Sequence, residues 1–235
     1  MKKSNKPFVS AVIVAAGRGT RMDMELNKQY IEIAGKPVLV RTLQVFEDCS
    51  KIEEVILVTN AQDIMYCKQQ LIEIYGLNKV KSIVAGGDER QKSAYNGLCA
   101  ISKDADIVMI HDGARPFIKT ETICDCISQA KEFGGCVVAV PAKDTIKVAD
   151  KNGFIMETLD RSVLWSIQTP QVFTCEILRN AHRKAMEDGF IGTDDAVLVE
   201  RLGHKLKLVM GSYDNIKITT KEDLSIAQAI VGKRE

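Results

Sequence analysis

Histidine and net charge are both scarce in this sequence of 235 residues, and each scarcity excludes a class of protein. The three histidines, His111, His182 and His204, are too scattered for a zinc site, and no serine lies in a nucleophile-elbow motif. The formal net charge is only +1, so no overall field attracts nucleic acid or a membrane surface. Anion binding must therefore depend on local groups of lysine and arginine.

The sequence also lacks paired cysteines and long apolar runs. None of its seven cysteines forms a Cys-x-x-Cys pair, which indicates reduced thiols and predicts a cytoplasmic protein. No apolar run approaches the length of a membrane-spanning helix, so we expect a soluble protein. Lys2 and Lys3 before the apolar run 8–16 imitate a secretion signal, but that run is short and continues into a glycine loop. We therefore interpret it as a buried strand.

The stretch 10–30 is the most informative part of the chain. An apolar run rich in β-branched residues predicts a buried strand, and the small residues ending at Gly17 allow a sharp turn close to a ligand. Arg21 and Lys28 follow, and free backbone N–H groups with nearby cations suit a polyphosphate. Met22 stands where the dinucleotide fingerprint requires glycine, and no Walker loop is present. The alternative is a tight connection whose cations are only solvated.

Strand-like and helix-like segments alternate through most of the chain, which predicts a doubly wound α/β sheet with mostly parallel strands. After the first strand we predict strands at 55–59, 80–84, 107–110, 136–140, 164–173 and 206–210, and helices at 37–46, 61–75, about 90–101, 120–133, 176–188, from 193, and 221–231. Gly17, Gly87, Asp112 and the segment after Val140 all follow strand ends. Ligands of such sheets bind beyond the carboxyl ends of the strands, so these residues predict one shared site.

The pattern changes at residue 143, where two short strand-like runs flank Asn152-Gly153, a strong signal for a hairpin turn. An isolated hairpin is only marginally stable in water, and this one carries apolar side chains such as Phe154 and Met156. A second copy of the chain would cover them. We therefore predict one domain over 1–235, with 143–160 as a protruding β-hairpin arm used in a homodimer.

Specific segments of the chain resemble a known family. Ala-Ala-Gly-Arg-Gly-Thr-Arg-Met at 15–22, followed by Asn-Lys-Gln-Tyr at 27–30, resembles the signature loop of nucleotidyltransferases. Later segments extend the resemblance over nearly the full length to the 2-C-methyl-D-erythritol 4-phosphate cytidylyltransferases of isoprenoid biosynthesis. The resemblance implies a Rossmann-like, magnesium-dependent, homodimeric enzyme. Its substrates would be CTP and 2-C-methyl-D-erythritol 4-phosphate, and its products pyrophosphate and 4-diphosphocytidyl-2-C-methyl-D-erythritol.

The resemblance also assigns roles to individual residues. It implies catalytic roles for Arg21, Lys28 and Lys217. It places the nucleotide against Ala15, Ala16, Gly17, Gly19, Gly87, Asp88, Ser93 and Asp112, with Asp112 also a ligand of the metal ion. It places the second substrate against Arg115, Thr145, Arg161, Thr169 and Thr193, with Arg161 supplied by the partner subunit.

These residue types suit that chemistry. Fixed cations aimed at a reacting phosphorus stabilise a transition state in which negative charge accumulates. A carboxylate beside a triphosphate needs an intervening cation, so Asp112 indicates magnesium. A phosphate monoester is already largely dianionic at neutral pH, which explains the absence of an acid–base pair. Structural alternatives stay open, with Asp112 at a turn, Asp88 and Thr193 at helix starts and Thr145 as a strand residue.

Two other functions stay open. A cytidylyltransferase for another polyol phosphate, such as ribitol 5-phosphate, shares the loop architecture, although the Ala-Ala-Gly loop and Arg161 with Leu164-Trp165 favour the methylerythritol substrate. A nucleotide-binding module without chemistry is the alternative of another class. The chain departs from the family pattern at Gly113, where an alanine is frequent, and in the variable spacer 23–26. Neither departure removes a charged group.

Overall fold

The backbone forms strands and helices in the predicted order, except that a short hairpin of two strands at residues 32–37 was not predicted. The structure, a computed structural model, describes residues 6–17 and 28–234. Within these residues the strands are β1 (Val9–Val14), β2 (Glu32–Ile33), β3 (Lys36–Pro37), β4 (Glu54–Thr59), β5 (Val80–Ala85), β6 (Ile107–Asp112), β7 (Gly135–Pro141), β8 (Lys147–Ala149), β9 (Ile155–Thr158), β10 (Trp165–Thr174) and β11 (Lys207–Met210). The α-helices are α1 (Val38–Asp48), α2 (Ile64–Tyr66), α3 (Arg90–Ala100), α4 (Thr120–Phe133), α5 (Cys175–Glu187), α6 (Asp195–Glu200) and α7 (Lys221–Arg234).

Seven of these strands form one twisted sheet in the order β11-β7-β10-β6-β1-β4-β5. Strand β10 pairs antiparallel with both β6 and β7, and the other pairings are parallel, which confirms the doubly wound, mostly parallel sheet. The chain builds outward from β1 to β4 and β5, then returns to place β6 on the other side of β1. The direction of winding reverses between β1 and β6, and such a reversal opens a ligand crevice beyond the carboxyl ends of the two strands.

Helices cover both faces of the sheet because its inner strands are apolar on both sides. Ala11 and Ile13 of β1 pack with α1 and α4 on one face, whereas Val12 packs with α3, α5 and α6 on the other. Leu43 and Phe46 of α1 are almost fully buried, and each such side chain contributes about 1.5–3 kcal/mol relative to exposure. This double-sided burial fixes the strand ends and therefore the loops at the edge.

A third apolar cluster fastens the C-terminal helix. Ile230 and Val231 of α7 pack against Ile33 of the short β2–β3 hairpin and against Ile218. The helix begins as predicted, because the Thr220 N–H donates to Asp223 Oδ2 at 2.9 Å and the Asp223 N–H donates back to Thr220 Oγ1 at 3.4 Å. The segment just before α7 is therefore fixed by the packing of Ile218 and by the capping hydrogen bonds of Thr220.

The predicted helices differ from the structure mainly in two places. The helix at 120–133 is confirmed residue for residue, but the run 61–75 comprises a 3-10 turn (Ala61–Asp63), α2 and a π-helix (Cys67–Glu73). Apolar spacing predicts a helical face and does not distinguish these hydrogen-bond patterns. The helix predicted from 193 begins two positions later, at Asp195, and its N-cap residue is Asp194, whose Oδ1 atom accepts the Val197 N–H at 3.0 Å.

The predicted hairpin is confirmed as β8 and β9, which pair antiparallel. Gly153 has φ +85° in the turn, and Asp150 Oδ1 accepts the Asn152 and Phe154 N–H groups, each at 2.9 Å. The side chains of Phe154, Ile155 and Met156 are 65–70% exposed. The hairpin therefore presents apolar residues that this chain alone leaves uncovered. No helix within residues 6–17 and 28–234 is both long and apolar enough to cross a membrane.

Candidate active site

The loops after β1 and β5 meet at the edge of the sheet where the sequence predicts the site. The Ala15 N–H donates to the Val58 carbonyl oxygen at 2.7 Å, which ties the loop after β1 to β4. A Cβ atom at Gly86 would collide with the Cβ atom of Ala16. Only glycine allows this approach, so Ala15, Ala16 and the exposed Gly17 lie beside the loop that contains Gly87.

The loop after β6 contacts the loop after β1 from the other side. The Gly113 N–H donates to the Val14 carbonyl oxygen at 2.9 Å. A Cβ atom at Gly113 would lie 3.0 Å from both the Cβ atom of Ala15 and the Cδ1 atom of Leu39. The glycine that departs from the family pattern therefore relieves a tight contact between the two strand ends that border the crevice.

Asp112, the last residue of β6, is buried and contacts three cationic side chains. Its Oδ2 atom lies 2.8 Å from Lys217 Nζ and 3.7 Å from Arg115 Nε, and its Oδ1 atom lies 3.2 Å from Arg90 Nε. The Lys217 side chain is 36% exposed, against 26% for Arg90 and 13% for Arg115. Lys217 is therefore the member of this cationic cluster that is most open to a ligand.

The cluster keeps its carboxylate ionised. Burial would raise the pKa of Asp112, but the charges of Arg90, Lys217 and Arg115 outweigh burial and hold that pKa well below its usual range. Burial lowers the pKa of Arg115, yet a guanidinium stays protonated in proteins. Three positively charged side chains thus surround Asp112, and one of them, Arg90, also lies 2.7 Å from the Asp195 carboxylate, so the group holds three positive and two negative charges. The remaining positive charge favours an anionic ligand such as a triphosphate.

The loop that carries Lys217 is fastened to the end of β6. Arg115 Nη1 donates to the Asn215 carbonyl oxygen at 2.7 Å, and the Ile218 N–H donates to the Ala114 carbonyl oxygen at 2.9 Å. Asn215 is itself buried, and its Nδ2 atom donates to the Thr169 carbonyl oxygen at 3.0 Å. These hydrogen bonds fix the backbone on both sides of Lys217 and so aim its side chain at Asp112.

Thr169 is buried beneath the cluster and holds the backbone of Asp112. Its Oγ1 atom accepts the Asp112 N–H at 3.0 Å and lies 3.1 Å from His111 Nδ1. His111 Nε2 lies 3.0 Å from the Arg115 carbonyl oxygen, which can only accept, so Nε2 carries the proton. Burial lowers the pKa of His111 to about 4, so the ring is neutral and Nδ1 accepts from the Thr169 hydroxyl.

The loop after β5 and the start of α3 hold Gly87, Asp88 and Ser93, which are predicted to contact the nucleotide. Ser93 is buried, and its Oγ atom accepts the Gly87 N–H at 3.1 Å, which closes the loop onto α3. Asp88 is exposed at the tip. Glu89 is the N-cap residue of α3 and makes no side-chain capping hydrogen bond. The structure thus gives Asp88 no capping role, and its carboxylate faces outward.

The remaining residues predicted for the second substrate, Thr145, Arg161 and Thr193, are all exposed. Thr145 and Arg161 are exposed on or beside the arm, and Arg161 Nη1 donates to the Lys143 carbonyl oxygen at 2.6 Å. Thr193 is exposed in the loop before α6. In the part of the chain that the structure describes, no hydrogen bond or ion pair joins any of these three to Asp112. Of the predicted set, only Arg115 and Thr169 are brought together with it.

Part of the signature loop is outside the described residues. Gly19 and Arg21 lie there, and Lys28 is the first residue of a 3-10 helix (Lys28–Tyr30). Gln29 is buried, and its Nε2 atom donates to the Ala15 carbonyl oxygen at 2.7 Å. The backbone at Lys28 is therefore attached next to the loop after β1.

Sequence reasoning missed two members of the site. Arg90, the first residue of α3, contacts Asp112 with Nε and places Nη1 2.7 Å from Asp195 Oδ2. These two contacts join residues 22 and 105 positions apart. The one sequence signal is an arginine at a helix start after the predicted Gly86-Gly87 loop. No local pattern indicates its partner.

The carboxylates that the structure describes at the site are too few to enclose a metal ion without a ligand. Among the described residues, no group of three or more His, Cys, Asp or Glu side chains is placed to hold a metal ion. Magnesium commonly binds through one or two carboxylates together with substrate phosphates and water. Asp112 supplies one such carboxylate, surrounded by cations that favour an anionic ligand. The site therefore fits a magnesium ion that arrives with a nucleotide, and does not fit a cage built by the protein alone.

A doubly wound sheet with glycine loops and clustered cations at its switch point is the arrangement of a nucleotidyltransferase. The family model described as IspD, 2-C-methyl-D-erythritol 4-phosphate cytidylyltransferase, matches residues 9–233. The chain belongs to this family, whose members are nucleotidyltransferases.

Individual members of the family are similar to this chain over nearly their full lengths. The 2-C-methyl-D-erythritol 4-phosphate cytidylyltransferase of Caldanaerobacter subterraneus is 54% identical over 225 residues, covering 96% of this chain and 99% of the relative. The protein of the same name from Alkaliphilus oremlandii is 48% identical, covering 96% and 95%. The crystal structure of 4-diphosphocytidyl-2C-methyl-D-erythritol synthase from Anaerococcus prevotii is similar with a TM-score of 0.86 at 34% identity, covering 97% of each chain.

Proposed function

We propose that this enzyme transfers the cytidylyl group of CTP to 2-C-methyl-D-erythritol 4-phosphate, releasing pyrophosphate and forming 4-diphosphocytidyl-2-C-methyl-D-erythritol. The observation that carries the proposal is the group of Lys217, Arg115 and Arg90 around Asp112 at the switch point of the sheet. Family membership supplies the two substrates. The predicted place of action is the cytoplasm.

The reaction is a displacement at phosphorus. An oxygen of the 4-phosphate forms a bond to the α-phosphorus of CTP, and the bond from that phosphorus to the bridging oxygen of the β-phosphate breaks. Pyrophosphate leaves with the electron pair. The attacking phosphate has its second pKa near 6 and is largely dianionic at neutral pH, so no protein base is required. Catalysis then depends on positioning and on charge stabilisation.

The chain's cations supply that stabilisation. The Lys217 ammonium has three donors, and Asp112 uses one of them at 2.8 Å, so the others are free to reach phosphate oxygens. Arg21 and Lys28 of the signature loop are proposed as the other catalytic cations. The attachment of Gln29 to Ala15 supports this, because it fixes the backbone next to Lys28 at the mouth of the crevice.

Asp112 is proposed to hold a magnesium ion together with the CTP phosphates. When bound, magnesium would neutralise charge on the triphosphate and polarise its oxygens. The protein's part is to keep the Asp112 carboxylate ionised through its three cationic neighbours. Ala15, Ala16, Gly17 and Gly19 are proposed to meet the nucleotide with their backbones, and Gly87, Asp88 and Ser93 to meet the cytosine base.

The second substrate is proposed to bind between two chains. Arg115 and Thr169 lie at the cluster, whereas Thr145 and Arg161 belong to the arm and Thr193 to the loop before α6. The exposed apolar residues of β9 support an arm that packs on a second copy in a homodimer, carrying Arg161 to the partner's site. Guanidinium and hydroxyl groups suit a phosphate monoester. Dimerisation would then complete the polyol phosphate site.

Pyrophosphate release with paired substrates tests the proposal. With CTP and magnesium, we expect kcat/KM to be at least about 100-fold higher for 2-C-methyl-D-erythritol 4-phosphate than for ribitol 5-phosphate, because a site built to bind particular hydroxyls rejects analogues that mismatch them. A preference for ribitol 5-phosphate would refute the substrate. CTP binding without pyrophosphate release at any magnesium concentration would instead indicate a nucleotide-binding module.

A further inference from the structure

Arg90 connects the proposed active site with a second, deeper carboxylate. Its guanidinium places Nε against Asp112 Oδ1 at 3.2 Å and Nη1 against Asp195 Oδ2 at 2.7 Å. The other oxygen of Asp195 lies 3.1 Å from Nε2 of His182, which is fully buried in α5. These four side chains form a continuous line, which we call the Asp112–His182 relay, from the edge of the sheet to α5.

Asp195 is rigidly held although it touches no predicted substrate. Its side chain is 1% exposed, and its backbone N–H donates to Gln171 Oε1 at 3.0 Å. The same oxygen accepts the Ala196 N–H at 3.0 Å, and Gln171 Nε2 donates to Asp194 Oδ2 at 2.8 Å. Gln171 of β10 thus clamps the first turn of α6 and fixes where the Asp195 carboxylate stands.

Electrostatic interactions keep Asp195 and Arg90 charged. Burial would raise the pKa of Asp195, but the charge of Arg90 and the hydrogen bond from His182 hold it below its usual range. For Arg90, burial opposes the charge, yet Asp195 and Asp112 together raise its pKa. A planar guanidinium is the side chain that can serve two carboxylates in fixed directions at once. Arg90 therefore joins the two carboxylates, and its shorter contact is the one with Asp195.

We propose that Asp195 and Arg90 are positioning residues for the reaction. Asp195 orients Arg90, Arg90 orients the Asp112 carboxylate, and Asp112 holds the Lys217 ammonium where the phosphates react. This inference rests on the proposed function for its kinetic consequence, but its geometric part does not. Stability alone does not account for the arrangement, because buried ion pairs are frequently no more stabilising than apolar groups of the same volume.

A double-mutant cycle tests the relay. Arg90→Lys keeps the charge but cannot reach both carboxylates, and Asp195→Asn keeps the shape but loses the charge. We expect each single variant to lower kcat by about 10-fold or more with a much smaller change in the KM for CTP, since transition-state positioning is lost rather than uniform binding. Because Asp195 acts through Arg90, the double variant should be no slower than Arg90→Lys alone. Multiplicative losses in the double variant would overturn the relay.

A matched control separates positioning from folding. Glu54 is also a buried carboxylate, and it accepts from Ser10 Oγ and from the Ser102 N–H at the opposite edge of the sheet. Glu54→Gln should lower the unfolding temperature and leave kcat unchanged. If the Asp195 and Arg90 variants also lost only thermal stability, with wild-type kcat at low temperature, the relay would be structural and the proposal wrong.

A crystal structure of the Asp195→Asn variant tests the geometry of the relay without relying on the proposed activity. The relay predicts that the guanidinium of Arg90 leaves hydrogen-bond distance of Asp112 and that Lys217 changes its position. An unmoved Arg90 overturns the relay even if the enzyme is active. If wild-type protein released no pyrophosphate from CTP, the proposed function would fall, and the displacement of Arg90 in this variant would still decide the geometry.

Discussion

Lys217→Met should lower kcat by about 10²–10³-fold, the size of loss that follows removal of one preorganised charge contact in a transition state. Methionine keeps the length of the aliphatic part of the lysine side chain and removes the ammonium that Asp112 holds at 2.8 Å. The KM for CTP should rise far less, because the contact is strongest when charge builds on the phosphates. The fold should persist, because Lys217 is the most exposed of the three cations and Asp112 keeps Arg90 and Arg115 as partners. Steady-state pyrophosphate release and thermal unfolding measure both quantities.

The control for this variant is Lys205→Met, which removes an exposed lysine between α6 and β11. It should leave kcat and KM at wild-type values. If Lys217→Met raised the KM for CTP and spared kcat, Lys217 would be a simple binding residue and not part of the catalytic charge group.

Asp112→Asn should reduce both kcat and stability. The neutral side chain would no longer hold Lys217, and Arg115 would be left with an uncompensated charge, whereas Arg90 would keep Asp195 as its partner. Breaking a buried pair on one side costs about 3–5 kcal/mol, and the amide's remaining hydrogen bonds place this variant toward the lower end. We expect kcat to fall by about 10²–10³-fold in the fraction that stays folded. Urea unfolding followed by assays well below the midpoint separates the two effects.

Magnesium dependence adds a second readout to the same variant. If Asp112 is a ligand of the metal ion, Asp112→Asn should need a higher magnesium concentration for half-maximal activity. Asp104→Asn, which neutralises an exposed aspartate before β6, should alter neither activity nor magnesium dependence. If Asp112→Asn needed no more magnesium than the wild-type enzyme, Asp112 would not be a ligand of the metal ion, and its role would be limited to positioning Lys217.

Periodicity and turn chemistry predicted most of the fold, because those signals are local. The helix at 120–133 has a clear apolar stripe and ends at Gly134, whose φ of +84° suits glycine, so its limits are right at both ends. The hairpin around Asn152-Gly153 follows from the turn type. By contrast, nothing local shows that β10 runs antiparallel between β6 and β7, because strand direction is decided by pairing across the sheet.

Only those residues of the site that follow strand ends or that match the family's motifs could be predicted from the sequence. Strand ends correctly grouped Ala15, Gly87 and Asp112, and the resemblance added Lys217, which the structure places against Asp112. Arg90 and Asp195 carry no local signal because their importance arises from a contact across 105 positions. Such contacts depend on how two distant elements pack and where their side chains point. The spacing of residues within one element does not contain that information.

We propose that cations from distant segments converge with Asp112 on one triphosphate. A crystal structure of the enzyme with CTP and magnesium would show this arrangement. We expect the triphosphate between the loop after β1 and Lys217, with Arg21 and Lys28 within hydrogen-bond distance of its oxygens and the metal ion on Asp112. A triphosphate bound away from this crevice, or Arg21, Lys28 and Lys217 on separate faces of the molecule, would contradict it.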